Sequence, residues 1–369
     1  MNTSYAQQLK ALPPQVNLET VEVYKALAAA NRALGELKGK ALTLPNQNIL
    51  IDTLFLQEAL ASSEIENIVT TQDEVFRADL FADTGPVEAK EVTRYRDAMK
   101  LGYNSWCENG FISENMLIEM FRILKQRNDG YRTTPGTVLR NARGETVYTP
   151  PQDAQDIVRL MRDLEAFINA EPDDLDPLIR MALIHHQFES IHPFPDGNGR
   201  VGRMLNVLYL THAGLLDAPI LYLSRAINHT KPDYYLLLRA VRNEGVWQEW
   251  VIYMLDAVTE TAFSTLRLVE GIRDLMRQTK IRLREEGLYT QELLNNLFRH
   301  PYTRIAPVAR DLRVHYNTAA SRLKQLATKG FVQEVREGRN NYYINEPLVA
   351  LFVSVSGDDN LQEHDKKRS

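Results

Sequence analysis

The stretch "ESIHPFPDGNGRVGR" (189–203) gathers, within fifteen residues of a 369-residue chain, the side chains most able to do chemistry. Gly197, Asn198 and Gly199 let the backbone turn sharply and aim successive N–H groups at one point, where a helix begins with its partial positive end. That is an anion nest. Arg200 and Arg203, three apart, can reach back to the same point. An arginine fork suits phosphate because it donates two parallel hydrogen bonds, and two such cations call for more than one phosphate. Asp196 would be repelled by a bare phosphate, so it belongs there chiefly if Mg2+ bridges it to phosphate oxygens. His192, four residues earlier, is the group here that can take a proton near neutral pH. Phe194, between them, reads as an apolar anchor turned inward. Base, metal ligand, nest and two arginines describe a phosphoryl- or nucleotidyl-transfer site, in which positioning and charge neutralisation do most of the work. The plainer alternative is a tight turn that caps a helix.

A second constellation lies far upstream. "LASSEIENIV" (60–69) puts Ser62 and Glu66 four apart, one helical turn, on the same helix face, with Asn67 next. Alone, it reads as a solvated acidic helix end. His185 and His186, on an apolar helical stretch, read as structural, as do His212 and His229, and no histidine pairs with a carboxylate in a metal-ligand pattern.

The elements that must carry these residues are mostly helices. Apolar residues recur every three or four positions from about residue 20 to 275, as in "LIRMALIHHQFESI" and "GRMLNVLYLTHAGLL". "GTVLRNARGETVYTPP" (136–151) breaks the pattern and reads as a short β-hairpin turning at Arg143-Gly144, with Pro150-Pro151 unable to extend a ladder. Beyond residue 288, three short helical patterns precede two alternating segments around Glu337-Gly338-Arg339. This order describes a winged helix-turn-helix. Residues 302–346 hold eight Lys/Arg against four Asp/Glu on a chain whose net charge is −5, so basic character is local. Arg310, Arg313, Arg322, Lys324, Arg336 and Arg339 are the candidate phosphate contacts of a DNA-binding surface there. The acidic balance argues against coating nucleic acid or membrane over the whole surface. Cys107 is the single cysteine, excluding an intrachain disulfide and suiting a reducing, cytoplasmic setting. No apolar run is long enough to span a bilayer.

"HPFPDGNGRVGR" resembles the Fic signature HxFx[DE]GNGRxxR at all eight fixed positions, and the resemblance extends over roughly residues 10–260. It implies a mainly α fold: a Fic-type helical domain with a short β-hairpin flap, followed by a small winged helix-turn-helix domain. The expected divisions are an amino-terminal helical segment (1–100), a catalytic core (101–265), a helical linker (266–288), the winged helix (289–350) and a disordered tail (351–369). The implied activity is protein adenylylation, AMP passing from ATP to a Ser, Thr or Tyr hydroxyl. His192 would be the base, Asp196 would hold Mg2+, Gly197, Asn198 and Gly199 would cradle phosphates, and Arg200 and Arg203 would contact the polyphosphate. Ser62, Glu66 and Asn67 match the family's inhibitory motif [ST]xxxE[GN], which implies that Glu66 occupies Arg203 and keeps the γ-phosphate out of its productive pose. The hairpin at 136–151 corresponds to a flap that takes the target by strand addition. Val147 and Tyr148 on it would clamp the target or touch the nucleotide, and Tyr234, Tyr235 and Asn243 would line the nucleotide site.

Left open are removal of AMP as a second direction, with Glu66 positioning a water, transfer of a different group, self-modification and a homodimer. From a different class stands a DNA-binding regulator whose Fic domain senses nucleotide.

Overall fold

A repeat of three and four residues requires helices, and 67% of the chain is helical. The computed structural model describes residues 9–357 apart from 45, 47, 82–84, 142, 172–173 and 338–339. In chain order the elements are α1 (Val21–Ala41), α2 (Asn48–Ile65), α3 (Gln72–Leu80), α4 (Val87–Asn109), α5 (Glu114–Lys125), β1 (Leu139–Arg140), β2 (Thr146–Tyr148), α6 (Ala154–Ile168), α7 (Pro177–Ile191), α8 (Asn198–His212), α9 (Ser224–His229), α10 (Lys231–Glu244) and α11 (Trp247–Glu285). There follow α12 (Gln291–Arg299), β3 (Tyr302–Thr303), α13 (Ile305–Asp311), α14 (Tyr316–Thr328), β4 (Gln333–Glu337), β5 (Asn340–Ile344) and α15 (Glu346–Gly357).

The chain divides into two compact units, neither continuous in sequence. The first takes in the described chain up to Gly35, Phe55–Thr70 and Glu91–Ala262; the second takes in Glu36–Leu54, Thr71–Lys90 and the described chain from Phe263. The division expected at residue 265 lies within α11, next to the change of unit between Ala262 and Phe263, whereas residue 100 lies inside α4 and within the first unit, because apolar periodicity announces a helix without saying which unit each of its turns packs into.

In the first unit, α7 and α8 form the centre. Asp176 caps the Leu178 N–H at 2.8 Å and Pro177 opens α7, after which every residue from Leu178 to Ile191 is buried. Such a helix lies inside the core rather than on its edge. α8 is nearly as enclosed. α6 packs on α7 and α5 on α8, and the Phe194 ring, on the loop joining α7 to α8, stacks on Phe121 with centroids 4.3 Å apart. The hairpin at 136–151 is present in minimal form: β1 and β2 pair antiparallel, Leu139 opposite Tyr148, with Gly144 in the turn at φ 79°.

In the second unit, the expected three helices and hairpin correspond to α12, α13, α14 and β4–β5. β3 joins them in an antiparallel sheet of order β3-β5-β4. The hairpin's turn residues 338 and 339, Arg339 included, lie outside the described residues. α3, opened by a capping box between Thr71 and Glu74, belongs to this unit: its Phe76 stacks on Tyr302 with centroids 5.0 Å apart, and its Asp73 accepts the Tyr302 hydroxyl at 2.8 Å. The segment from 351, expected to be disordered, is helical as far as Gly357, with Phe352 buried; the remainder of that tail lies outside the described residues.

Candidate functional site

α7 ends where His192 adopts a left-handed conformation, φ 51° and ψ 57°. Arg132 holds that turn. Its Nε donates to the His192 carbonyl at 2.8 Å, and its Nη2 donates to the Ile191 carbonyl at 3.3 Å and to the Pro151 carbonyl at the end of the hairpin segment. Burial, then the charges of Arg242 and Arg132, push the His192 imidazole down to about 4, against weaker opposing effects of Glu66 and the Glu189 backbone. The ring is therefore neutral at physiological pH and able to accept a proton.

After His192 the chain crosses to α8. Asn198, read from sequence as part of the phosphate cradle, is buried and braces the loop. Its Oδ1 accepts the Phe194 N–H and its Nδ2 donates to the Phe194 carbonyl, both at 2.8 Å. Gly197 sits at φ 77° as the residue before α8, and no side chain caps that helix, so its opening N–H groups keep the character of an anion site. Gly199 is glycine for lack of room: a Cβ there would collide with Glu66 Oε1 and Arg203 Nη1.

Arg203 is 1% exposed and fully engaged on one side. Its Nε donates to Ser62 Oγ at 2.8 Å, and its Nη2 donates to the Ser62 carbonyl at 2.9 Å and to Glu66 Oε1 at 2.8 Å. Burial alone would weaken its hold on the proton, but the Glu66 charge and surrounding tyrosine oxygens keep the guanidinium firmly protonated. Ser62 and Glu66 are thus brought against Arg203 of the signature stretch, though not both from the helix. α2 ends at Ile65, so Glu66 stands in the turn beyond the helix, and Asn67 follows in a left-handed conformation at φ 61°. Glycine and asparagine are the residues that tolerate that conformation, which gives the final position of the motif a backbone reason. Glu58, one turn before Ser62, pins the same end of α2: it accepts the Tyr95 hydroxyl at 3.0 Å, the Ser224 N–H at 3.1 Å and the Ser224 hydroxyl. Burial pushes its carboxyl up to about 7.

Arg200 points elsewhere than expected. It is buried and its Nη1 meets Glu91 Oε1 at 2.5 Å. Asp196 Oδ1 accepts the Gly197 N–H at 2.7 Å, and its Oδ2 faces the Lys125 ammonium at 2.7 Å. Partial burial acts to raise the Asp196 carboxyl, but the Lys125 hydrogen bond and charge hold it below the usual carboxylate range. Among the described residues no group of three His, Cys, Asp or Glu could hold a metal. Asp196, with Glu91 on the far side of the Lys125 ammonium, supplies too few free oxygens to cage a cation by itself; a Mg2+ held there would need most of its ligands from elsewhere.

Of the residues expected to clamp target or nucleotide, Val147 is half-buried and Tyr148 is turned inward. The Tyr148 hydroxyl donates to the Ser190 carbonyl at 2.8 Å and the Arg242 guanidinium lies 4.1 Å over its ring. Tyr234 is a core residue, 1% exposed, bonded through its hydroxyl to His185 Nε2 at 2.8 Å, whereas Tyr235 is 45% exposed. Asn243 is exposed and, with Tyr148, Arg242 and Trp247, borders a cavity of about 340 Å3. Arg242, its neighbour, reaches the last turn of α7 just before His192, donating from Nε to Ser190 Oγ at 2.9 Å. Helical spacing could have found it: Arg242 is seven residues, two turns, from Tyr235. Arg132, Glu91, Lys125, Glu58 and Glu189 carry no local pattern that would have singled them out.

Three family models match along the chain: the Fic/DOC family N-terminal region at residues 24–104, the Fic/DOC family at 111–210, and the C-terminal domain of SoFic-like protein adenylyltransferases at 275–348. The protein adenylyltransferase Fic of Culex quinquefasciatus is 33% identical over 155 residues, 42% of this chain and 29% of that protein. That of Drosophila mojavensis is 32% identical over 159 residues, 41% of this chain and 30% of that protein. The chain thus spans under a third of the length of the curated relatives it matches. A crystal structure of a Fic family protein from Desulfovibrio desulfuricans G20 matches with TM-score 0.56 and 21% identity over 90% of this chain and 98% of that one. Fic-1 (residues 134–508) from C. elegans matches with TM-score 0.53 and 19% identity over 69% of this chain and 74% of that one. No described helix is long and apolar enough to cross a membrane. With the signature loop, the helix pair that carries it and three successive family matches in agreement, the chain belongs to the Fic/DOC family.

Proposed function

We propose that this chain transfers AMP from ATP to hydroxyl side chains of a protein target, itself included, and that Glu66 restrains the transfer. What carries the reading is Arg203: a buried cation reaching the opening of an uncapped helix and held there by Ser62 and Glu66. His192 takes the proton of the target hydroxyl, whose oxygen attacks the α-phosphorus. The bond from that phosphorus to the bridging oxygen of the β-phosphate breaks, and pyrophosphate leaves. Asp196 would hold Mg2+, which supplies charge neutralisation on the polyphosphate. Arg203, once free of Glu66, binds the γ-phosphate and fixes the in-line pose. The nucleotide lies with its phosphates against the Gly197–Gly199 turn. Its adenosine lies toward the cavity bordered by Tyr148 and Asn243 and the exposed face of Tyr235, and Val147 meets the target. The β1–β2 hairpin offers the target a strand edge, which supplies backbone hydrogen bonds without demanding a sequence. Cys107, exposed and unbridged, suits work in the cytoplasm.

The test is incorporation from ATP labelled on the α-phosphate, into the chain itself and into lysate proteins. Glu66→Gly is expected to raise incorporation above wild type and His192→Ala to abolish it. Equal labelling in wild type and Glu66→Gly would remove the brake; label from the γ-phosphate would make the chain a kinase instead. A second reading, DNA binding through a winged helix at 289–350, draws on α14, which exposes Asn317, Ser321 and Lys324 along one face. A mobility shift on duplex DNA, lost in Lys324→Glu, tests it separately.

A further inference from the structure

Lys125 lies outside every motif of the sequence, yet it is the side chain nearest to the carboxylate expected to hold a metal. It ends α5, in the last turn, where a cation is favoured by the negative end of the helix. Its stem lies against the Gly197 turn, its Cδ 3.3 Å from where a Cβ at Gly197 would stand. Its ammonium sits 2.7 Å from Asp196 Oδ2 and 3.3 Å from Glu91 Oε1. The Lys125 side chain is 19% exposed, Glu91 18% and Asp196 63%, so the ammonium closes the inner side of a carboxylate whose outer side is open. Glu91 shares its Oε1 with Arg200. Two carboxylates and two cations make a cluster that is electrically balanced before any ion arrives. A divalent ion approaching Asp196 alone gains one carboxylate already neutralised by Lys125 and is repelled by the ammonium. An ion that arrives on a polyphosphate brings negative charge with it, and that charge gives Lys125 a new partner as Asp196 turns to the ion.

Resting on the reading of Asp196 as the residue that holds Mg2+, we propose that Lys125 is a built-in counter-cation of that site: it occupies Asp196 in the metal-free chain, disfavours the bare ion and yields to the metal–polyphosphate complex. The site thereby discriminates between free ion and ion bound to a nucleoside triphosphate. Lys125 is a positioning residue in this account, acting through Asp196 and Glu91.

The experiment titrates Mn2+ alone into the full chain and follows the loss of the free-ion paramagnetic signal; a second series repeats it with ATP whose α,β-bridge is a methylene. Lys125→Met is expected to bind Mn2+ alone about tenfold more tightly than wild type, and Lys125→Arg to behave as wild type. With the analogue present the advantage of Lys125→Met disappears or reverses. Unchanged or weaker binding of Mn2+ alone by Lys125→Met, with an unaltered melting temperature, overturns the proposal. If Lys125→Met fails to fold, Lys125→Gln, which keeps a polar stem end without the charge, answers the same question. Asp196→Ala placed in the Lys125→Met background separates the two layers: if it still binds Mn2+ as tightly as Lys125→Met, the assignment of Asp196 has failed rather than the role of Lys125.

Discussion

As the proposed base, His192 is made weaker and cleaner by its surroundings. Burial and two arginine charges hold its ring at about 4, so it carries no proton to be shed before it can act. Activity that needs the neutral ring is present above that value and is lost as pH falls through it, not through 6.5. For the Glu66→Gly protein, which also loses the carboxylate that raises the ring, the acid limb of AMP transfer is therefore expected at or below about pH 4. Replacing Arg242 by Met removes the larger of the two repelling charges, so the limb moves upward, toward the ordinary histidine value. An acid limb at 6.5 in the parent would refute the account. His192, Asp196 and Arg203 stand out in the sequence because spacing along one loop and one helix start groups them, whereas Ser62 and Glu66 stand out only through the family motif, their spacing alone reading as a solvated helix end. Arg132, Glu91 and Arg242 do not, because what defines them lies tens of residues away: Arg200 meets Glu91 across 109 positions. Tyr234 and Asn198 were legible as members of the site but not as the packing and bracing residues they are.

At the scale of elements, the site depends on how closely α7 and α8 approach. Gly202 of α8 faces Glu189 of α7. A Cβ there would stand 2.7 Å from Glu189 Oε1 and 3.0 Å from Phe188 Cδ1. Glu189 is buried, pushed up to about 7 by that burial, and Oε1 has no hydrogen-bond partner. Gly202→Ala would improve local helix propensity yet is expected to destabilise the protein by about 1–3 kcal/mol through overpacking. A lower urea midpoint with unchanged slope checks this; an unchanged midpoint would mean that the helices can part without loss. Periodicity predicted these helices, the hairpin and the order of the carboxy-terminal elements well. It missed that α15 extends into the expected tail, since neither capping nor burial beyond a helix end is written in a repeat.

Across the whole molecule, sequence order and spatial order part company. The described residues of 71–90 belong with the carboxy-terminal elements, and the contacts that place them there are specific: Phe76 on Tyr302, Asp73 with the Tyr302 hydroxyl and, from the neighbouring segment of the same unit, Asp52 with Arg299 at 2.5 Å. Phe76→Ala is expected to cost about 3–5 kcal/mol and to speed amide exchange in β3 and β5, more than two hundred positions away. Exchange unchanged in those strands would show that α3 is a passenger on this unit. Linear reading divided the chain at residue 100 because no local signal reports such a long-range partner.

Glu66 stands just past the last turn of α2, at the negative end of the helix, whose closing carbonyls are taken up by Arg203 at Ser62, by the Glu66 and Ile68 N–H groups at Ser63 and by the Asn67 N–H at Glu64. A carboxylate there works against the field of its own helix, by an amount on the order of 0.3–1 kcal/mol, and its place is secured from outside by Arg203. In the proposed restraint that opposition acts as a spring. A polyphosphate that draws Arg203 away need not melt α2 or pull Glu66 out of a favourable seat, because the helix end itself repels what the arginine had held.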